Sequence, residues 1–362
     1  MRLSLEPRAR PARLMVWLSP VLAAVLSVIG ITILFAVLGR DPVQALHTLF
    51  VAPLASLDGL SELGLKATPL LLCAVGIAIG VRADVWNIGA EGQFTVGAIV
   101  GSGVALAYGG AGHWWVIPAL LLAGVVGGMA WAAIPALLRT RFNAHEILTT
   151  LMLAYVSIQL LGYLVHGPWK DPEGYSFPQT KQFEADAMLP VLLADTRLHI
   201  GALFALLSVP LGSILLGRTL MGFRIRTVGA APAAARYAGF SRNAVVWFCL
   251  LLSGGLAGLA GICEIAGGNG QLTPVISPGY GFAAIIVAFL GRLNPVGILF
   301  ASLLMALLYL GGEGLQVTMQ LPIAVTGTIQ GMLLFFLLAA DVLINYRVRV
   351  RVPQAAGTTQ HA

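Results

Sequence analysis

The stretch Val85-Trp-Asn-Ile-Gly-Ala-Glu-Gly-Gln-Phe94 carries an asparagine, a glutamate, a glutamine and two glycines in a chain that is otherwise mostly apolar. Of its 362 residues, 58% are hydrophobic and 10% are charged. Soluble domains are about a quarter charged, so a chain of this length with so little charge cannot cover a globule with polar surface. The composition predicts a polytopic membrane protein, within which this polar cluster needs an explanation.

Spanning helices are predicted from apolar runs of about 20 residues. Ten segments predict an all-α polytopic membrane protein with about ten transmembrane helices, at 15–38, 63–81, 88–108, 114–138, 147–166, 199–217, 244–267, 280–290, 295–311 and 323–344. The first run exceeds the apolar core of roughly 7–15 residues that signal peptides have, which predicts an uncleaved first span. The segment 280–290 is short for a full span, so we expect it to be tilted or broken.

The basic residues predict the orientation through the positive-inside rule. With a cytoplasmic N-terminus, the inside gaps hold Arg2, Arg8, Arg10, Arg13, Arg82, Arg139, Arg141, Arg218, Arg224, Arg226, Arg236, Arg242, Arg292, Arg347, Arg349 and Arg351. The outside gaps hold Arg40, Lys66, Lys170, Lys181 and Arg197. This bias predicts that both termini are cytoplasmic.

Glycines recur four residues apart within several segments, the spacing that lets helices approach closely in lipid. The pairs are Gly76 and Gly80, Gly97 and Gly101, Gly124 and Gly128, and Gly254 and Gly258. They predict a tightly packed bundle and carry no information about a substrate.

The domain organisation is predicted to be a single transmembrane domain over residues 1–362. Its predicted parts are the first span 15–38, a first repeat 63–166, an external loop 167–198, span six at 199–217, a cytoplasmic segment 218–242 and a second repeat 244–344. The loop 167–198 is expected to be either a partly ordered cap over the external mouth or a plain exposed loop.

An internal echo suggests the two repeats. Ala90-Glu-Gly-Gln-Phe-Thr95 resembles Gly268-Asn-Gly-Gln-Leu-Thr273, and the charge bias places the two junctions on opposite sides. Spans 2–5 then start outside and spans 7–10 start inside, which is the pattern of an inverted-topology repeat with interrupted polar segments. Chance similarity over so few positions is the alternative.

The opening stretch has two interpretations. In the structural one, Asn87 caps the third span, and Glu91 and Gln93 lie near the cytoplasmic headgroups. In the functional one, Asn87 and Glu91 share a helix face that looks into the bundle, because a carboxylate facing lipid is costly. Gly89 and Gly92 would then allow close backbone approach or a helix break. A pathway-lining or helix-breaking role is predicted for these five residues.

The echoed segment extends this prediction to Glu264, Asn269 and Gln271. Glu91 and Glu264 are the carboxylates that we place well within the bundle. Each is expected to line the passage or to brace its helices through hydrogen bonds, with a proton-relay role as the alternative.

The segment 218–242 predicts a short helix on the cytoplasmic face. Pro232 suits a first helical turn, the alanines after it favour helix, and Gly239 suits the C-terminal cap. Arg236 and Tyr237 are its prominent side chains. A small helix with one aromatic residue and one cation fits a partner's groove, whereas a basic loop on anionic headgroups is the alternative.

Other function classes are disfavoured. The net charge of +6 arises from basic residues in short gaps and forms no continuous patch, so no nucleic-acid partner is expected. Cys73, Cys249 and Cys263 fall inside apolar runs, so we expect core residues and neither a disulfide nor a metal site. The sequence contains no G-x-x-x-x-G-K-[ST] phosphate loop and no HExxH, CxxC or G-x-S-x-G motif. We expect neither catalysis nor a bound cofactor.

Three stretches resemble a known family. Asn87-Ile-Gly-Ala-Glu-Gly-Gln93, Val228-Gly-Ala-Ala-Pro-Ala-Ala-Ala-Arg-Tyr-Ala-Gly239 and the segment AAIIVAFLGRLNPVG at 283–297 look like the ABC-importer permeases of the branched-chain amino acid, ribose and nucleoside group. The nucleoside and simple-sugar permeases are the most similar subgroup, and the resemblance covers nearly the whole chain. It implies ten helices with an inverted relation between spans 2–5 and 7–10. Matching the family's ATPase-coupling segment are Gly229, Pro232, Arg236, Tyr237 and Gly239.

The resemblance implies a pore-forming subunit of an ATP-driven importer in the inner (cytoplasmic) membrane of a bacterium. The implied partners are a cytoplasmic ATPase that uses ATP and Mg, a second, non-identical permease, an extracytoplasmic lipoprotein that binds the solute, and membrane lipid. A neutral nucleoside or simple sugar is the implied solute, since no paired cations in the bundle favour an anion. The alternative is an ion-coupled secondary transporter with Glu91 or Glu264 as its coupling site.

Overall fold

The computed structural model describes residues 2–7, 13–110, 112–175 and 177–351, whose regular secondary structure is helical apart from two short terminal strands, β1 (Arg2–Pro7) and β2 (Tyr346–Arg351). The helices are α1 (Arg13–Val37), α2 (Pro42–Leu46), α3 (Leu57–Val81), α4 (Ala90–Tyr108), α5 (Val116–Phe142), α6 (Glu146–His166), α7 (Gly201–Arg218), α8 (Leu220–Ala230), α9 (Pro232–Tyr237), α10 (Arg242–Glu264), α11 (Tyr280–Leu290), α12 (Pro295–Met319) and α13 (Ile323–Asn345). Single turns of other helix types lie at 47–51, 52–54, 185–187 and 265–269.

Each predicted span coincides with one of these helices. Within the described residues, six helices are long and apolar enough to cross a membrane, namely α3, α5, α6, α7, α12 and α10 together with the turn that follows it. The chain is therefore a helical protein with several membrane-spanning helices, and the count of about ten spans stays a prediction.

Some helix boundaries differ from the apolar runs. The helix α3 begins at Leu57 rather than at 63, because Ser56 caps it by accepting a hydrogen bond from the Gly59 N–H at 3.0 Å. The helix α8 was not predicted, since its basic residues interrupt the apolar pattern. It begins after Thr219, whose hydroxyl accepts from the Gly222 N–H at 3.0 Å. Apolar runs mark where lipid is tolerated, whereas caps decide where a helix begins.

The chain divides into two compact units, residues 1–51 with 311–362 and residues 52–310. In the first unit, α1 packs along α13, and Gly30 faces the side chains of Met332 and Phe336. The strands β1 and β2 of this unit pair in antiparallel register and bring the two ends of the chain together. These strands depart from the all-α prediction, because the alternating Tyr346-Arg-Val-Arg-Val-Arg351 has the period of two that suits a strand.

In the second unit, α4, α5 and α10 pack against one another through glycine faces. The backbones of Gly97, Gly124 and Gly128 lie against the backbones of Gly254 and Gly258 so closely that a methyl group at these positions would overlap the opposite helix. The predicted tight packing of small residues is confirmed here, since removal of the side chain is what allows the helix axes to approach. The helix α3 also packs on α10 and is largely buried.

The long connection between α6 and α7 is ordered against the segment that follows α10. The Thr180 N–H donates to the carbonyl oxygen of Leu272 at 3.0 Å, and the Leu272 N–H donates to the Thr180 hydroxyl at 3.0 Å. The Phe183 N–H donates to the carbonyl oxygen of Gly270 at 2.6 Å. Of the two interpretations of 167–198, these bonds favour a partly ordered cap rather than a plain exposed loop.

Candidate functional site

The polar stretch lies in a returning segment, residues 82–91, which turns back along α11 after α3 ends. Three contacts join the two in antiparallel order: Arg82 with Leu293, Trp86 with Phe289, and Glu91 with Gly281. The 11 residues of α11 span about 16 Å at a helical rise of roughly 1.5 Å per residue, about half of a hydrocarbon core of roughly 30 Å. The helix α4 therefore begins well away from the level at which α3 ends, in the interior of its unit.

An amide clamp closes this returning segment. The Asn87 Nδ2 donates to Gln93 Oε1 at 2.7 Å and to Ser253 Oγ at 2.9 Å, while Gln93 Nε2 donates back to Asn87 Oδ1 at 3.1 Å. Asn87 Oδ1 also accepts from the Gly89 N–H at 3.1 Å. Both amide side chains are 2% exposed or less, so the clamp satisfies polar groups that would otherwise be costly to bury. It fastens the start of α4 to α10.

Both predicted positions for Asn87 are wrong. Since α4 begins at Ala90 with Gly89 as its N-cap residue, Asn87 lies outside the helix and shares no helical face with Glu91. It does not cap α4, because its side-chain oxygen bonds the N–H two residues on, a local turn that competes with capping. Its other partner, Ser253, lies far along the chain and could not have been found from local spacing.

Glu91 caps a second helix. Its Oε2 accepts from the Gly281 N–H at 2.6 Å, in the first turn of α11, and Ser277 and the Phe282 N–H are further hydrogen-bond partners. The first N–H groups of a helix have no partner within the helix, and the helix dipole favours a negative group there. A methyl group at Gly281 would overlap the backbone nitrogen of Glu91, so the two helix beginnings can meet only at a glycine. Glu91 is 4% exposed, which agrees with a side chain facing the bundle.

Gly89 and Gly92 lie against α6. A side chain at Gly89 would overlap the carbonyl oxygen of Thr150, and one at Gly92 would be too close to the backbone of Ala154. The Ile88 N–H also donates to Thr150 Oγ1 at 3.3 Å. The two glycines thus permit close backbone approach, one of the two roles that the functional interpretation gave them.

The other predicted pathway residues belong to a second cluster, after α10. Glu264 is the half-buried last residue of α10, and Asn269 is exposed at the end of the following turn. Gln271 Nε2 donates to Gln179 Oε1 at 3.3 Å, which ties this segment to the long connection.

The two echoed segments have different conformations. Residues 90–95 form the first turns of α4, whereas residues 268–273 run through the end of a turn and into an irregular connection. Gly270 has a left-handed φ of +68°, which ends the helical path there. The matching residues of the two segments therefore do not occupy equivalent structural positions, although the first turns of α4 and α11 lie beside each other.

Two polar residues of the long connection, His199 and Asp186, make hydrogen bonds that the sequence did not predict. His199, 1% exposed, accepts from the Gly201 N–H through Nδ1 at 3.1 Å, and burial, with Arg197 as a lesser cause, lowers its pKa from 6.5 to about 4. Asp186 accepts from the N–H groups of Gly110 and Gly112 at 2.9 and 2.8 Å, and the bond from Gly110 is the main cause that holds its pKa below the usual range. Isolated polar residues in a loop give no sequence signal of such contacts.

The segment 218–242 contains the predicted short helix. Pro232 opens α9, and Gly239, with a left-handed φ of +78°, follows its end. The Gly239 N–H donates to the carbonyl oxygen of Arg236 at 3.0 Å, which completes the turn. Arg236 is exposed and Tyr237 is 96% exposed. Beside them, a cavity of about 280 Å³ opens between α8, α9 and the start of α10.

The remaining candidate chemistry is sparse. In the part of the chain that the structure describes, no three His, Cys, Asp or Glu side chains group so as to hold a metal ion. Cys73, Cys249 and Cys263 are buried, as predicted for core residues.

Comparisons with known proteins agree on one class. Residues 59–338 match the family described as branched-chain amino acid transport system, permease component. A glucose ABC transporter permease protein of Haloferax volcanii is 37% identical over an alignment that covers 96% of this chain and 94% of the relative. A nucleoside ABC transporter permease protein of Lactococcus lactis is 28% identical, with 93% of each chain covered.

A guanosine ABC transporter permease protein of Bacillus subtilis is 28% identical, covering 88% of this chain and 92% of the relative. Lactococcus lactis and Bacillus subtilis each contribute a second permease with the same substrate in its name, and these two match 67% and 66% of this chain. No solved structure matches the chain.

Proposed function

This chain belongs to the branched-chain amino acid transport permease family, and from that premise we propose its solute, its topology and its partners. It is the permease subunit of an ABC importer, a transport component rather than an enzyme, and a multi-pass protein of the cytoplasmic membrane. The solute is a neutral nucleoside or a simple sugar. The names of its relatives support that class, since they include glucose, nucleoside and guanosine permeases.

One observation carries the proposed coupling role. The helix α9 presents Arg236 and Tyr237 to solvent at the end of a tight, proline-initiated and glycine-terminated helix. A largely exposed aromatic side chain beside a cation is typical of the residues that anchor protein interfaces. In this proposal, ATP binding moves the ATPase subunits, and α9 carries that motion to the membrane helices. The coupling residues are Gly229, Pro232, Arg236, Tyr237 and Gly239.

Family membership implies a partner ATPase and a solute-binding protein. In this proposal, the ATPase holds ATP and Mg, and this chain holds no cofactor. The second pore subunit is a different permease, which the paired permeases of Lactococcus lactis and Bacillus subtilis support. The binding protein is a lipoprotein.

The proposed topology has ten spans, two cytoplasmic termini and an inverted relation between spans 2–5 and 7–10. The excess of arginine in the gaps assigned to the inside supports the orientation. The pairing of β1 with β2 supports two termini on one side. The meeting of the α4 and α11 N-termini at Glu91 and Gly281 supports the inverted relation, since broken helices that meet in the interior are typical of such repeats.

The proposed roles of the polar residues follow from their contacts. Asn87, Gly89, Gly92 and Gln93 stabilise the helix break, and Glu91 caps α11. Glu264, Asn269 and Gln271 line the pathway at the end of α10, where Gln271 is bonded to the connection 167–198. A brace that holds two helix beginnings needs no change of protonation, which favours ATP-driven over ion-coupled transport.

The experiment reconstitutes the complex that co-purifies with this chain into proteoliposomes and measures uptake of radiolabelled guanosine and glucose with and without ATP. We expect stoichiometric co-purification of an ATPase and a second permease, and uptake that depends on ATP. Arg236→Glu is expected to leave ATP hydrolysis while lowering uptake at least about tenfold, because a charged interface contact is worth about 2–5 kcal/mol. ATP-independent uptake driven by a proton gradient would overturn the proposal.

A further inference from the structure

The last turn of α8 rests directly on the end of α3. Gly229 faces the carbonyl oxygen of Arg82 and the Cα of Ala83, and a methyl group on Gly229 would overlap that oxygen. Because backbone meets backbone here, no flexible side chain lies between the two elements to absorb a displacement. A movement of α8 is therefore transmitted directly to the backbone of Arg82.

Arg82 continues this contact to α11. Its Nε and Nη2 donate to the carbonyl oxygen of Leu293 at 3.0 and 2.9 Å. Two donors of one planar guanidinium on one oxygen define the direction as well as the length of the connection, and the group stays charged at every accessible pH.

The turn that receives these bonds has an uncommon backbone. Arg292 and Leu293 have left-handed φ values of +53° and +56°, a region that residues other than glycine adopt rarely. Two such residues in succession persist only where the surroundings hold them, and they are typical of functional sites. In this conformation the Leu293 carbonyl points at Arg82, so the strained turn and the guanidinium are parts of one contact.

The returning segment holds α11 at both of its ends. Arg82 bonds the turn after its last residue, and Glu91 bonds the Gly281 N–H in its first turn. A cavity of about 380 Å³ lies beside the Arg82 contact and is lined by Asp84, Arg226 and Gly229, among others. The helix α11 is thus attached at both ends to a segment whose beginning is in backbone contact with α8.

We propose that Arg82 is a positioning residue that transmits movement of the coupling segment, through Gly229, to the half-length helix α11. This inference rests on the proposed function and adds to it the route between ATPase and pore. The competing explanation is that Arg82 only braces the fold.

The test measures ATP hydrolysed per solute imported by the reconstituted wild-type and variant complexes, with radiolabelled guanosine and glucose as probes. A brace that weakens the fold lowers the active fraction, which reduces hydrolysis and uptake together and leaves the ratio unchanged. In contrast, a broken transmission lets hydrolysis continue while uptake falls. For Arg82→Gln, we expect the ratio to rise about tenfold, the size of effect that loss of a charge-assisted hydrogen bond produces. Gly229→Ala should also raise the ratio, because its methyl group would push α8 away from the carbonyl oxygen of Arg82.

Matched controls are available in the same region. Gly217→Ala adds the same methyl group at the end of α7, where nothing lies within 4 Å, and should leave the ratio at the wild-type value. Arg226→Gln removes a neighbouring charge from the same cavity and should do likewise. Arg82→Lys keeps the charge but lacks the paired donors, so its ratio should lie between those of the wild type and Arg82→Gln.

An unchanged ratio in Arg82→Gln, with hydrolysis and uptake lowered in parallel, overturns the proposal and leaves Arg82 as a brace. Should Gly229→Ala fail to assemble, the two Arg82 variants decide the question by themselves. A wild-type complex whose uptake needs no ATP overturns the proposed function and this inference with it, a result that is visible before any variant is made.

Discussion

Replacing Glu91 separates a helix cap from an ion-coupling group. Glu91→Ala removes the acceptor of the Gly281 N–H and of the Phe282 N–H, both in the first turn of α11. Each buried donor left without a partner costs about 1–3 kcal/mol, so the alanine variant should lose about 2–6 kcal/mol. Glu91→Gln keeps an acceptor oxygen at nearly the same place and gives up only the attraction between charge and helix dipole, at most about 2 kcal/mol.

The assay compares thermal inactivation of the detergent-solubilised complex with ATP-dependent uptake in proteoliposomes. We expect Glu91→Gln to retain most of the uptake and most of the thermal stability, and Glu91→Ala to lose both. If Glu91→Gln abolished uptake and left thermal stability unchanged, the carboxyl group would have to contact the solute or a proton, and the capping argument would be refuted. Gly162→Ala, at a position with nothing within 4 Å, controls for substitution within a membrane helix.

Three further outcomes are expected. Asn87→Ala and Gln93→Ala should each destabilise the protein, and the double variant should lose less than the sum by about 0.5–3 kcal/mol, because the two amides bond each other; additive losses in chemical denaturation would contradict the clamp. Gly97→Ala should destabilise by about 1–3 kcal/mol through overpacking against α10, whereas Gly162→Ala should be neutral by the same measurement. The His199 pKa lies below its unfolded value, so the neutral side chain contributes stability that is complete above pH 6.5 and is lost as pH falls towards about 4; thermal unfolding of His199→Gln should lack this acid sensitivity.

Some of the helices and their boundaries could be predicted from the sequence, and others could not. Lipid requires about 20 consecutive apolar residues in a spanning helix, so apolar runs located a helix at every predicted span. The strand Tyr346–Arg351 and the helix α8 were missed because neither has such a run. Propensity located α9, since Pro232 and Gly239 act on the backbone locally and need no tertiary partner.

The polar site shows the same division. Burial of Glu91 followed from the cost of placing a carboxylate against lipid. The distant partners of Asn87 and Glu91 did not follow, because Ser253 and Gly281 lie more than a hundred residues away and a hydrogen bond depends on angles of a few tens of degrees and distances of about 3 Å.

Composition and local backbone preference determined that this chain is a helical membrane protein with a polar break and a short exposed helix, because each of those features is a property of neighbouring residues. Tertiary packing alone decided that Asn87 holds α4 to α10, that Glu91 caps α11, and that Arg82 joins α8 to the Leu293 turn. These contacts join segments distant in sequence, and a buried donor or acceptor takes whichever partner the packed backbone brings within reach.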